Sequence, residues 1–146
     1  MSLGSDWCSN DLWQYMKFAI LVPRTITGNV EMLSGWDALE MATMGGARGL
    51  GMADEIGSLE AGKKADIILV DISRPSFRPI RADNFCSNLV YNATGADVSD
   101  VYVDGNPIVQ DRDVMTIDRA EMNREVQHRA EAIWARAEKN FQRINP

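Results

Sequence analysis

Leu12, Tyr15, Met16, Ala19 and Ile20 recur at three- and four-residue intervals, the spacing that stacks side chains on one helix face. Asn10 supplies an N-cap for a helix running to about Val22, and Pro23 ends it. A polar stretch from Arg24 to Glu31 leads to Ser34-Gly35-Trp36-Asp37. There the serine and the carboxylate three residues later form a capping box, with Asp in the place usually held by Glu. The helix it opens carries Trp36, Leu39 and Glu40 and stops at Gly45-Gly46, and Ala47 to Leu50 adds one further turn closed by Gly51.

Beyond Gly51 the period changes. Asp66 and Asp71 bracket the continuous apolar run Ile67-Ile68-Leu69-Val70, which reads as a strand covered on both faces. Ser73 to Pro79 is a proline-containing loop, and Asp83 to Tyr91 is a short helix. Val98 to Val109 reads as a hairpin about Asp104-Gly105, a type I′ turn signal. Pro107, just after the turn, implies an edge position. Asp118, with Glu121 three residues on, starts a last helix. Its apolar stripe is Met122, Val126, Ala130, Ile133, Ala137 and Phe141, opposite a face of arginines and glutamates. The order is helices, then a strand-rich region, then a helix, so two structural contexts meet near Gly51 rather than alternating.

Composition narrows the function. The chain has 146 residues, 45% apolar and 25% charged, enough for one globular domain or part of a larger one. Its formal net charge of −6, with no basic tract, argues against nucleic acid as a partner. Phe18 to Pro23 is the longest apolar run and is too short to span a bilayer. No basic, then apolar, leader opens the chain. With only Cys8 and Cys86, far apart, a reducing compartment fits, and the expected location is cytoplasmic. His128 is the only histidine. A catalytic zinc site usually takes two or three histidines with a carboxylate or thiolate, so the chain cannot build a His-rich centre by itself.

Gly57-Ser58-Leu59-Glu60-Ala61-Gly62-Lys63 has the spacing of a phosphate-binding loop as far as its lysine. Lys64 then stands where a magnesium-binding hydroxyl is needed, and the segment opens a strand instead of a helix. It reads as a turn feeding a strand. Gly46-Ala47-Arg48-Gly49-Leu50-Gly51 follows a helix, so it reads as helix termination and not as a dinucleotide fingerprint. Asp6 carries two readings. It is a turn or cap residue near a helix start, or a carboxylate at the C-terminal end of a barrel strand, aimed into an active-site mouth. His128 reads as a surface residue, and Cys8 and Cys86 as small buried groups.

Ile56 to Asp71, with its Gly-Lys-Lys-Ala-Asp segment, resembles a signature of the amidohydrolase superfamily, in its metal-dependent deaminase and chlorohydrolase branch. The resemblance extends through Ala38 to Thr43, Gly46 to Gly51, Asn88 to Tyr91 and Val101 to Gly105. Leu3-Gly4-Ser5-Asp6 resembles the end of the last barrel strand, where that family places a metal-binding aspartate. The resemblance implies an α/β fold: the C-terminal part of a (β/α)₈ barrel plus part of a composite β-sandwich. Residues 1–51 would be the last barrel strand and the helices after it, 52–115 the sandwich segment, and 116–146 the C-terminal helix.

The implied chemistry is hydrolysis of a non-peptide carbon–nitrogen bond in a ring or amidine substrate. A zinc or iron ion in the whole enzyme lowers the pKa of a bound water. Asp6, by resemblance, is both metal ligand and acceptor of the water proton. The barrel histidines and the acid/base glutamate have no counterpart in these residues, so the chain alone is expected to bind no metal and to be inactive. The contrasting reading is a non-catalytic module that self-associates through its exposed sandwich edge and helix faces. The helix faces of Leu12, Met16, Ala19 and Leu39 and the strand Ile67 to Val70 would lack their barrel and sandwich partners, so a homo-oligomer is expected, with a monomer that folds its first helix over the sandwich as the alternative; the first reading implies a small-molecule substrate.

Overall fold

A computed structural model describes residues 1–5 and 9–144, with side chains to residue 138. The chain mixes helix and sheet and divides into two compact units, Met1–Arg112 and Asp113–Pro146.

The first unit opens with α1 (Leu12–Thr27), capped by Asp11, whose side chain accepts from the Trp13 N–H at 3.0 Å. The cap is therefore Asp11, one residue after the expected Asn10. Pro23 lies inside α1 and does not end it. A proline removes only its own N–H, leaving one carbonyl a turn earlier without its usual donor. Within the last turns of α1 the Thr25 hydroxyl donates to the Leu21 carbonyl and that of Thr27 to the Pro23 carbonyl, each at 2.8 Å. The helix stops at Gly28, whose φ of 70° is a left-handed C-cap and whose N–H donates to Arg24 O. The Arg24 side chain then holds the carbonyls of Met32 and Leu33.

α2 (Gly35–Ala42) opens on the expected box. The Asp37 N–H donates to Ser34 Oγ at 3.2 Å, and the Ser34 N–H donates to the Asp37 carboxylate at 2.6 Å. It ends at Ala42, earlier than the glycine pair, because Thr43 leaves helical geometry. α3 (Met44–Gly49) follows at once. α4 (Phe85–Asn92) packs on α1 and α2. Their shared core holds Trp13, Met16 and Ile20 of α1, Ala38 and Met41 of α2, Leu89 and Val90 of α4, and Phe77 from the loop before α4. Ile20, Phe77 and Val90 are fully buried, each contributing roughly 1.5–3 kcal/mol relative to exposure.

β1 (Ile67–Val70), β2 (Val98–Val103) and β3 (Asn106–Gln110) lie side by side in that order, antiparallel throughout. Asp104 and Gly105 both have positive φ, 50° and 76°, as a type I′ hairpin requires. Opposite Val101 and Tyr102 the register slips, so that Val109 and Pro107 are their partners. Pro107 thus sits beside a bulge, where a missing N–H is tolerated. β1 is not covered on both faces: Ile68 and Leu69 are each 49% exposed. It lies at the end of the sheet, with β2 alone as its neighbour among the described strands.

The second unit holds β4 (Asp113–Val114) and α5 (Arg119–Ile144). Asp118 caps α5 as expected, its Oδ1 accepting from the N–H groups of Ala120 and Glu121.

Candidate functional site

Asp6 lies outside the described residues, as do Trp7 and Cys8. The segment on either side of it is anchored to the helical layer. Before it, the Leu3 N–H donates to the Met41 carbonyl of α2 at 3.2 Å, and the Leu3 side chain packs on the core. After it, Tyr15 of α1 donates its hydroxyl proton to the Ser9 carbonyl at 3.0 Å, and Ser9 Oγ accepts from the Asp11 N–H at 3.2 Å. Asp11 uses its second oxygen to accept from the Gly95 N–H at 3.2 Å, and Lys17 Nζ donates to the Ala93 carbonyl at the same distance. The start of α1 is thereby locked to the corner that follows α4.

That corner is a polar hub. Asp97, 6% exposed, accepts through one carboxylate oxygen from the Thr94 N–H at 2.9 Å, the Thr94 hydroxyl at 3.0 Å and the Arg74 guanidinium at 2.5 Å. Its own carbonyl accepts from the Asp71 N–H at 2.8 Å. Ser73, through hydroxyl and backbone N–H, and then the Arg112 guanidinium hold the Asp71 carboxyl down to about 2. Thr94-x-x-Asp97 has the same form as Ser34-x-x-Asp37, so a capping-box reading would have found half of this hub. The half supplied by Arg74, 23 residues earlier, has no local signal.

The glycine–lysine segment is a structural turn. Lys63 Nζ donates to the Ala53 carbonyl and to Ser58 Oγ, each at 2.7 Å, and pairs with Glu60 at 3.2 Å. With its side chain only 13% exposed, the ammonium is committed to the turn and not to a phosphate. Ser58 and Lys63 hold the Glu60 carboxyl below its ordinary range. Gly57 lets the turn press on α3: its φ is +95°, and a Cβ there would stand 2.7 Å from Ala47 Cβ. A groove of about 380 Å³ beside this turn, between Thr43, Ile56, Leu59, Ile67 and Ile68, is mainly apolar. Asp66, at its edge, is engaged by the Asp104 N–H at 2.7 Å, so the groove offers no acid–base pair.

His128 is exposed on α5, and Cys86 is half-buried as a free thiol. Among the described residues no group of three or more His, Cys, Asp or Glu side chains is placed to hold a metal ion. A zinc centre takes four ligands, so the described residues do not fit a self-contained metal site. Asp6 is the one ligand the sequence nominates.

The family model of the amidohydrolase family matches residues 1–108. A 5-methylthioadenosine/S-adenosylhomocysteine deaminase of Moorella thermoacetica is 40% identical over 133 residues, covering 88% of this chain and 31% of that protein. An adenosine deaminase from Xanthomonas campestris, solved with bound zinc, superposes with a TM-score of 0.79 at 30% identity, over 85% of this chain and 28% of that one. An atrazine chlorohydrolase from Arthrobacter aurescens, complexed with zinc, shares the fold at a TM-score of 0.69 and 24% identity, over 80% of this chain and 25% of that one. The chain belongs to the amidohydrolase family. It spans about a third of the length of the curated relatives it matches.

Proposed function

We propose that these residues form the C-terminal part of a metal-dependent amidohydrolase that deaminates an adenine nucleoside. In that reading residues 1–51 end the (β/α)₈ barrel, 52–115 belong to a composite β-sandwich, and 116–146 form the C-terminal helix. Water replaces the exocyclic amine of the ring, a carbon–oxygen bond forms as the carbon–nitrogen bond breaks, and ammonia leaves. The observation that carries the reading is the superposition of most of this chain on a zinc-bound adenosine deaminase, joined to 40% identity with a named nucleoside deaminase.

Asp6 is this chain's contribution to the chemistry, as the carboxylate that ligates the metal and takes the proton of the attacking water. The other ligands and the general acid belong to sequence other than these 146 residues. The chain's remaining task is to hold Asp6 in place, through Leu3 on α2 and Ser9 on α1.

The test is ammonia release from S-adenosylhomocysteine, 5′-methylthioadenosine and adenosine by the metal-loaded protein that carries this chain. Asp6→Asn is expected to lower kcat by about 10²–10⁴, the usual worth of a positioned proton acceptor. The 146-residue chain alone is expected to turn over none of them and to retain no stoichiometric zinc after dialysis. A folded, metal-loaded protein inactive on all three nucleosides would refute the substrate class. Undiminished kcat in Asp6→Asn would refute the role of Asp6.

A further inference from the structure

α3 is built from poor helix formers. Three of its six residues, Gly45, Gly46 and Gly49, are glycine, the least favourable helix residue after proline. Space explains one of them. A Cβ on Gly46 would meet nothing within 4 Å, and one on Gly49 would stand 3.5 Å from Ser2 Oγ, an ordinary contact. Gly45 is buried, and a Cβ there would overlap the backbone carbonyl oxygen of Met1 and lie 3.1 Å from the Glu40 carbonyl oxygen. Gly45 does not have the positive φ that favours glycine, so what requires glycine at this position is the close approach of another stretch of backbone.

That stretch leads to Asp6. Met1 rests on Gly45, and the Leu3 N–H donates to the Met41 carbonyl at 3.2 Å while the Leu3 side chain packs on the core. The two contacts fix both the depth and the direction of the chain at Leu3, three residues before Asp6. The contact at Gly45 is made by backbone, so it holds whatever side chain residue 1 carries. A carbonyl cannot swing aside by changing rotamer as a long side chain can, so an added methyl is relieved only if the stretch itself moves. From overlap to ordinary separation that is about 1 Å, and a displacement of that size at a reacting group costs on the order of 10²-fold in rate.

We propose that Gly45 is a positioning residue for the reaction: by lacking a Cβ it sets the depth at which the chain leading to Asp6 lies on the helical layer. This rests on the role proposed for Asp6.

The test compares Gly45→Ala with Gly46→Ala in the metal-loaded protein that carries this chain. Both changes favour the helix equally, and only the first meets backbone. Gly45→Ala is expected to lower kcat about tenfold or more with KM within about twofold, and to release zinc to a chelator about tenfold faster. Gly46→Ala should leave all three within about twofold of the parent. A merely structural Gly45 would lower the urea midpoint while kcat of the folded protein and zinc release stay unchanged, and that result overturns the proposal, as do equal effects of the two alanines. If Gly45→Ala does not fold, Leu3→Ala decides: it frees the same stretch without a clash and should lower kcat about threefold or more, and an unchanged kcat overturns the proposal. Asp6→Asn separates this inference from the reading beneath it. If Asp6→Asn leaves kcat and zinc release unchanged, the role of Asp6 falls and the inference with it. If Asp6→Asn lowers kcat and Gly45→Ala does not, the inference falls alone. A protein inactive on all three nucleosides refutes the substrate class, and zinc release then decides the inference by itself.

Discussion

Replacing Asp97 by alanine should destabilise the first unit more than any change to the cation it pairs with. Three donors converge on one oxygen of this buried carboxylate, two from Thr94 and one from Arg74. In Asp97→Ala the Thr94 N–H and hydroxyl lose their acceptor at a site water reaches only in part, at about 1–3 kcal/mol for each unpaired group. Arg74 behaves differently. Its side chain is 47% exposed, so solvent replaces the lost partner and the ion pair itself adds no more than about 1 kcal/mol. Partial hydration of Thr94 brings the total for Asp97→Ala to about 2–4 kcal/mol. Asp97→Asn keeps an acceptor oxygen but loses its charge, and should cost about 1–1.5 kcal/mol. Arg74→Ala, which also removes a guanidinium stacked 5.3 Å from the Phe77 ring, should cost about 1 kcal/mol. Urea unfolding followed through the buried Trp13 reads all three. If Arg74→Ala proves as damaging as Asp97→Ala, the hub is an ion pair and not a hydrogen-bonded cap, and the reasoning fails.

Two further changes test local features. Gly57→Ala demands an L residue at a φ of +95° and sets its Cβ 2.7 Å from Ala47 Cβ, so a loss of about 2–4 kcal/mol is expected in the same urea assay; Ala47→Gly in that background should recover little, because Met44 Sδ and Cα still stand 3.0 and 3.3 Å from the new Cβ and glycine inside α3 costs about 1 kcal/mol itself. Asp71 titrates near 2 when folded against an ordinary 3.8, so its contribution is complete above about pH 4 and lost as the pH falls toward 2. Asp71→Asn should therefore be less stable than the parent at neutral pH and converge with it near pH 2, and a gap that stays constant across that range would count against the assignment.

The features legible in the sequence are those set by neighbours in the chain. Ser34 and Asp37 form their box, Asp118 caps α5, and Asp104-Gly105 takes the two positive φ values of its turn. Each depends on four residues or fewer. Pro23 was misleading because a proline's local effect is one lost donor, while what decides the end of α1 is the left-handed Gly28 beyond it. The both-faces burial expected for Ile67 to Val70 failed for another reason. An apolar run records what the strand tolerates, whereas its covering depends on what packs on its two faces, and among the described residues Ile68 and Leu69, on opposite faces, each stay 49% exposed.

The same division runs through the candidate site. Asp6 is nominated by the resemblance of Leu3-Gly4-Ser5-Asp6 to a family segment, but the described residues on either side of it are held by long-range contacts: Leu3 to Met41, Asp11 to Gly95 and Lys17 to Ala93. None of these contacts falls in a periodic pattern, because each joins residues that chain order keeps far apart. Two of them, Asp11 to Gly95 and Lys17 to Ala93, meet at the corner between α4 and β2, where the Asp97 hub ties the helices to the sheet. This gives the hub a consequence beyond stability. If Asp6 acts as proposed, a loosened corner releases the α1 end of its segment while leaving its carboxylate chemically intact. Damage at Asp97 would then reach the reaction as lost positioning, with kcat falling before KM changes.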